Sequence, residues 1–302
     1  MIDFSNLKLS NLKIINAHND SIYSLSIFPL GNFTSTSRDK SIKIWDKNYN
    51  LLQTISNAHN DHINDINIKD ENNFVTCSDD KSIKTWFKKE NLFNLNKTIQ
   101  EAHKGSIFKV IYYLNNKLIS CSNDKTIKIW EENNNENYQC ISILTHNNFI
   151  NSILLIKNYN LLISSGRYET KFWNIQNFEC IKEIEEIKCY IGNTISKIDN
   201  DRIIFGGGII HIMIVISISN KEIIKEIDNL FCCYCILNIE KKGIFLTGGN
   251  SKMIRIYRND NYECIYFLDK CHEGIIYGLI EYNDNKIMSF SQNGTIKIWN
   301  LN

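Results

Sequence analysis

The sequence predicts an all-β fold, a closed ring of seven four-stranded antiparallel blades, and three observations carry that prediction. The stretch Ser37-Arg38-Asp39-Lys40-Ser41-Ile42-Lys43-Ile44-Trp45 returns as Ser78 to Trp86, Ser122 to Trp130 and Ser291 to Trp299, with a weaker copy ending at Trp173. Successive Trp residues are 41, 44 and 43 positions apart, and the gap from 173 to 299 is 126, three times 42; periods in this range mark propeller blades. A His precedes each of these five Trp by 27 residues (His18, His59, His103, His146 and His272), a register that chance does not produce.

Each unit reads as the same four pieces. In the first, Ile22 to Ile27 alternates apolar and polar residues as a strand does, Asn32 to Ser35 is a second strand, and a polar turn at Arg38-Asp39-Lys40 leads to a third strand ending in Trp45. Leu51 to Ile55 is a fourth strand leading to the next His. The units fall at about 16–56, 57–100, 101–144, 145–185, 186–227, 228–269 and 270–302, the last completed by 1–15. Stepping by 42 from Trp173 ends the fifth unit near Val215 and the sixth at Tyr257. The fifth is the most degraded, with Lys188 at the His position, no Trp, and Ile203-Ile204-Phe205-Gly206-Gly207-Gly208 before an alternating strand. The chain stops just after the third strand of the last unit, while Leu9 to Ile15 precedes the first His where a fourth strand belongs. The N-terminal segment is therefore expected to be the outer strand of the last blade, closing the ring by a backbone ladder.

At 302 residues the chain has room for one all-β domain or two smaller ones, and the unbroken repeat decides for one. A formal net charge of +1, with 22% charged residues, gives no global field for nucleic acid or anionic lipid. The ten Cys lack paired Cys-x-x-Cys spacing, and several sit at plain repeat positions: Cys140, Cys180 and Cys264 before apolar stretches, Cys77 and Cys121 beside the repeat Ser. They are expected to be buried thiols in a reducing compartment. The start, Met1-Ile2-Asp3-Phe4-Ser5, has no basic-then-apolar pattern, so an intracellular location, cytoplasmic or nuclear, is expected. The apolar run Ile203 to Ile218 is short for a membrane span and contains Gly residues and His211, and its register makes it two strands and a turn.

These residues resemble the WD-repeat β-propeller family, whose units carry a Gly-His pair near the start and a Trp-Asp pair near the end. Here the Gly is replaced by Ala17, Ala58, Ala102, Thr145 and Cys271, and Trp45-Asp46 alone keeps the literal second pair. The resemblance spans the whole chain. It implies a hydrogen-bonded chain inside each blade, with matching sets His18/Ser37/Asp39/Trp45, His59/Ser78/Asp80/Trp86 and His103/Ser122/Asp124/Trp130. Each lost partner in such a buried set costs roughly 1–3 kcal/mol. In the fourth unit Arg167 takes the Asp position, leaving His146, Ser165 and Trp173; in the seventh Asn293 takes it.

A His/Ser/Asp set also has the composition of a hydrolase triad, but a triad is needed once and this set occurs three times at one spacing, so the structural reading stands ahead. Cys232-Cys233-Tyr234-Cys235 falls in the first strand of the sixth unit, where Cys233 and Cys235 share a face, and with no convergent His or further Cys it is read as ordinary burial, not a metal site. Gly206-Gly207-Gly208 lacks the following helix and Gly-Lys-Ser/Thr of a phosphate loop and is read as a strand-end turn.

The resemblance further implies three positions per blade that contact partners on the face where the His-bearing loops emerge. Carried over by register, the strand-one ring is Tyr23, Asn64, Phe108, Asn151, Asn193, Cys235 and Tyr277; the residues before the Asp include Arg38, Asp79, Asn123 and Gln292; the preceding positions are Ser21, His62, Ser106, Phe149 and Ile275. Aromatic and Arg side chains make interface hot spots, so Tyr23, Arg38, Phe108, Phe149 and Tyr277, with His62 and Arg167, are the candidate partner-binding residues, against the alternative that the aromatics only line the channel mouth. The sequence thus predicts a rigid, non-catalytic scaffold for protein or peptide partners, within a multi-protein complex, with no cofactor, metal or membrane. The alternatives are a substrate-recognition or RNA-processing subunit of a larger complex, and a propeller enzyme with catalytic groups in the central channel.

Overall fold

The computed structural model describes residues 7–114, 116–133, 137–185, 194–207, 211–228 and 231–302. Seven four-stranded antiparallel sheets follow one another round a ring. The first blade is Ile22–Ile27, Phe33–Ser37, Ile42–Trp45 and Leu51–Ile55, running from the central channel outward. The degraded fifth unit forms the same sheet from Ile195–Lys197, Arg202–Phe205, Ile212–Ser217 and Glu222–Asp228, which bears out the two-strand reading of the 203–218 run. In the last blade the strand Leu9–Asn16 pairs antiparallel with Thr295–Leu301, Leu9 opposite Leu301 and Asn16 opposite Thr295, so chain start and chain end close the ring as expected. Lys188, Asn193 and Gly208 lie outside the described residues.

Burial explains why the second and third strands are so rich in Ile, Val and Phe. A middle strand is covered by a blade on either side: every residue of Phe33–Ser37 is buried, whereas Leu51–Ile55 on the rim is exposed or half-exposed. The core is accordingly a set of seven apolar layers, each between neighbouring blades. Ile42 and Ile44 of blade 1 meet Ile63, Ile66, Phe74 and Trp86 of blade 2, and Ile15, Ile296 and Ile298 of blade 7 meet Ile22, Phe33 and Trp45 of blade 1.

The rim corrects one expectation. Cys77 and Cys121, on second strands, are buried, but Cys140, Cys180 and Cys264 are exposed. They stand on outer strands opposite Trp130, Trp173 and Tyr257, beside a bulge, and no further strand covers them. Partial desolvation against the neighbouring side chains still raises all three thiol pKa values, which favours the thiol over the thiolate.

Candidate functional site

The His sets form buried hydrogen-bond chains, but through a different hydroxyl from the one expected. Trp45 Nε1–H donates to Ser35 Oγ (3.1 Å), which lies 2.8 Å from His18 Nε2, and His18 Nδ1 lies 3.1 Å from Asp39 Oδ2. Blade 2 repeats this through Thr76 (2.9 Å to Trp86, 2.8 Å to His59) with Asp80 at 2.9 Å, and blade 3 through Ser120 (2.8 Å to Trp130, 2.7 Å to His103) with Asp124 at 3.0 Å. The carboxylate makes Nδ1 the protonated nitrogen, so Nε2 accepts from the hydroxyl, and the hydroxyl oxygen accepts from the indole.

Ser37, Ser78 and Ser122 are therefore not the links. They lie on the same face but two residues, about 7 Å, nearer the loop, where each accepts from the backbone N–H of the Asp two residues on (3.0 Å in all three). The Asp residues clamp the loops as well: Asp39 accepts from Asn19 N (3.1 Å) and Ser41 N (3.0 Å), and Asp80 from Asn60 N (2.9 Å) and Ser82 N (2.9 Å). Burial pushes the carboxyls of Asp39, Asp80 and Asp124 upward, but the hydrogen bonds they accept, with the adjacent imidazole, outweigh it and hold all three well below the usual range. The linking hydroxyls and imidazoles are buried, so no substrate reaches this set. The signal that finds the hydroxyls is in the sequence: a Ser or Thr ten residues before Trp45, Trp86, Trp130 and Trp299.

Two blades depart from the pattern. In blade 4, Ser164 rather than Ser165 links His146 and Trp173 (2.7 Å to each). Arg167 leaves the Asp place empty, and Glu169, two residues on, reaches back to 2.8 Å from His146 Nδ1 and accepts from Asn147 N (2.6 Å). In blade 7, Asn293 accepts from Ser291 and Thr295 hydroxyls, and His272 Nδ1 meets Thr295 Oγ1 at 3.0 Å instead of a carboxylate. Burial, reinforced by Lys297, holds the His272 pKa down to about 3; burial with Lys171 does the same for His146.

The partner-facing ring has a backbone cause. The first strand of six blades carries a bulge at the same place, between Ile22 and Ser24, Ile63 and Asp65, Ile107 and Lys109, Ile150 and Ser152, Cys233 and Cys235, and Ile276 and Gly278. A bulge leaves one residue out of the ladder and re-aims its side chain. Here that residue is Tyr23, Asn64, Phe108, Asn151, Tyr234 or Tyr277, and all six line a cavity of about 310 Å³ at the central channel. Counting by 42 placed Cys235 in this ring. The bulge corrects it: Tyr234 is the unpaired residue, and Cys235, though it reaches the cavity wall, is buried.

The aromatic side of this mouth is packed. Tyr23 meets Tyr277 edge-on (5.2 Å, 69°), and Tyr277 meets Tyr234 (5.8 Å, 87°). Partial burial raises the Tyr23, Tyr234 and Tyr277 phenol pKa values, so they stay neutral hydrogen-bonding groups. Between blades 1 and 2, Arg38 Nε donates to His62 Nε2 (3.3 Å), His62 Nδ1 faces Asp79 Oδ2 (3.2 Å), and Asn64 Nδ2 donates to Asp79 Oδ1 (2.7 Å). The Arg38 side chain is half exposed. Phe149 and Arg167 stand apart on blade 4, outside the cavity lining; Phe149 is half-buried and its carbonyl accepts from Arg167 N, while the Arg167 guanidinium lies 5.0 Å over the Tyr168 ring. Deeper in the channel, Asp65 is buried and fully engaged by Ser24 Oγ (2.9 Å), Lys109 Nζ (3.1 Å) and Val110 N (3.1 Å). Among the described residues no group of three or more His, Cys, Asp or Glu is placed to hold a metal ion.

Residues 9–46, 49–86 and 94–131 match the family model of the WD domain, G-beta repeat. The chain thus carries three WD40 repeats within a β-propeller of seven four-stranded blades. Among solved structures it is similar to the WD40 beta propeller domain of Doa1, with a TM-score of 0.80 over 97% of each chain; at 17% identity that likeness is one of fold. No curated protein matches it. No helix among the described residues is long and apolar enough to cross a membrane.

Proposed function

We propose that this propeller is a non-catalytic scaffold that binds protein or peptide partners, within a multi-protein assembly, on the face where the His-bearing loops emerge. The observation that carries this reading is the bulge ring: one defect, repeated at one place in six first strands, turns Tyr23, Phe108, Tyr234 and Tyr277 with the amides of Asn64 and Asn151 into a single cavity. Rigid aromatics with few rotatable bonds and adaptable amides beside them are the composition of a protein-binding surface. Arg38 and His62 extend this mouth along its rim, and Phe149 and Arg167 supply contacts at blade 4. The Asp clamps give the face the pre-organisation that tight binding needs, since loops already held do not lose that freedom on association. Affinity capture with mass spectrometry, comparing wild type with a Tyr23→Ala/Phe108→Ala/Tyr277→Ala variant, tests the reading. A folded variant that loses partners supports it, and one that keeps every partner overturns it.

A further inference from the structure

The opposite mouth of the channel has a different chemistry. First strands run away from the His loops, so their last residues gather at the far end, and there Ile68, Lys69, Tyr112, Leu114, Leu155 and Lys157, from blades 2, 3 and 4, wall a cavity of about 470 Å³. Leu114, just past the strand end, is 58% exposed, a large apolar side chain that lines this hollow beside Ile68, Ile111 and Leu155. The charged side chains in the lining are Lys69 and Lys157, both positive. Lys69 Nζ stands 5.7 Å over the Tyr112 ring, keeping its charge at the mouth. The acidic groups in the adjoining turns stay outside the lining: Asp70 accepts from Asn72 N (2.8 Å) and Asn73 Nδ2 (2.9 Å), and Glu71 accepts from Leu30 N (3.1 Å). The Tyr112 backbone N–H donates to Asn67 Oδ1 at 3.0 Å, which ties the first strands of blades 2 and 3 together along this wall.

We propose that this far mouth is a second docking surface, independent of the His-loop face, and that it takes an acidic amphipathic protein segment. The segment's apolar side chains seat against Leu114, Ile68 and Leu155, and its carboxylates meet Lys69 and Lys157. Apolar contact supplies affinity while the two lysines select sign, because a basic segment would place like charges together as they lose water. A propeller with two such faces holds two partners at once on opposite ends of one rigid body.

The test uses the full chain and two fluorescein-labelled probe peptides of alternating Leu-Leu and Glu-Glu pairs or Leu-Leu and Lys-Lys pairs, followed by fluorescence anisotropy. The Glu peptide is expected to bind wild type, to bind at least tenfold more weakly to Lys69→Glu/Lys157→Glu and to Leu114→Asp, and to lose affinity as salt rises. Tyr23→Ala/Phe108→Ala/Tyr277→Ala on the other face is expected to leave that binding unchanged. Far-UV circular dichroism and the melting temperature report whether each variant is folded, and the single change Lys157→Glu, on an exposed turn, is the fallback. Equal binding of the Lys peptide, no binding of the Glu peptide to wild type, or an affinity kept within twofold by the folded charge-reversed variant would overturn the proposal.

Discussion

Blades 1 to 3 and blades 5 and 6 reach the same four-stranded sheet by opposite chemistry. In the first three, a His, a hydroxyl, an Asp and a Trp satisfy one another in the interior. In blade 5 the hydroxyl place is taken by Phe205 and the indole place, just past the third-strand bulge, by Ile216, both buried in the layer shared with blade 4. In blade 6, Tyr257 replaces the Trp and stacks flat on Phe245 (4.9 Å, 5°), with its phenol pKa pushed up to about 12 by burial. At these two places of blade 5, hydrocarbon thus builds the sheet as well as the linked hydroxyl and indole do. What the polar chain adds is the clamp: a carboxylate buried at one end holds the His loop and the hairpin turn together at the surface, beside the ring that faces partners.

That contrast can be broken in four ways, taken from the largest effect downward. Deleting residues 1–15 removes most of the strand that pairs with Thr295–Leu301, with buried Leu9 and Ile15; the melt should fall by about 10 °C or more, and an unchanged melt would show that ring closure does not depend on this strand. Asp80→Ala leaves His59 and two backbone donors of blade 2 without their acceptor. Urea denaturation should register about 2–4 kcal/mol of destabilisation, whereas Thr247→Val in blade 6 should cost under about 1.5 kcal/mol. Equal costs would mean that the polar chains carry no special weight.

The third concerns pH. His272 is held neutral, its pKa down at about 3, whereas an unfolded His titrates near 6.5. Between those values the unfolded state binds the extra proton, so this group's contribution is complete above pH ~6.5 and is lost as pH falls towards 3, at up to about 1.4 kcal/mol per pH unit. Asn293→Asp supplies the carboxylate that blades 1 to 3 possess and should raise the His272 pKa. Its urea midpoint at pH 5 should then exceed wild type by more than it does at pH 7, and parallel pH profiles would contradict the role given to the missing acid. The smallest effect is expected at the face itself: Arg38→Ala, removing a half-exposed side chain whose partners sit at the rim, should change stability by no more than about 0.5 kcal/mol while weakening partner capture. A larger loss of stability would make Arg38 bracing rather than contact.

Most of the ring was legible because the repeat is a spacing, and spacing survives substitution. Even the fifth unit, without His or Trp, was placed by counting, since its alternating Ile and Val residues still meet the two neighbouring blades. The misreadings share one cause. Ser37 and Ser35 are both polar, both on one face, and differ by two residues along a strand; which of them reaches the imidazole depends on where the hairpin sets the His loop. Cys235 and Tyr234 differ by a single bulge, which shifts the register without altering the count of apolar residues. Cys140, Cys180 and Cys264 look apolar in sequence, but only the position of their strand at the rim leaves them uncovered.

The sequence by itself determined the number of blades, their order, the strand that closes them and the His, Asp and Trp that brace the first three, because these follow from local periodicity and from pairings repeated at a constant separation. Tertiary structure decided which side chains share a surface. Tyr23, Tyr234 and Tyr277 are more than two hundred residues apart at the extremes and meet only because the ring closes, and Lys69 and Lys157 come to one mouth only because three first strands end together. A one-residue bulge or the curvature of a ring leaves no periodic trace in composition, and those features aim the side chains that a partner would touch.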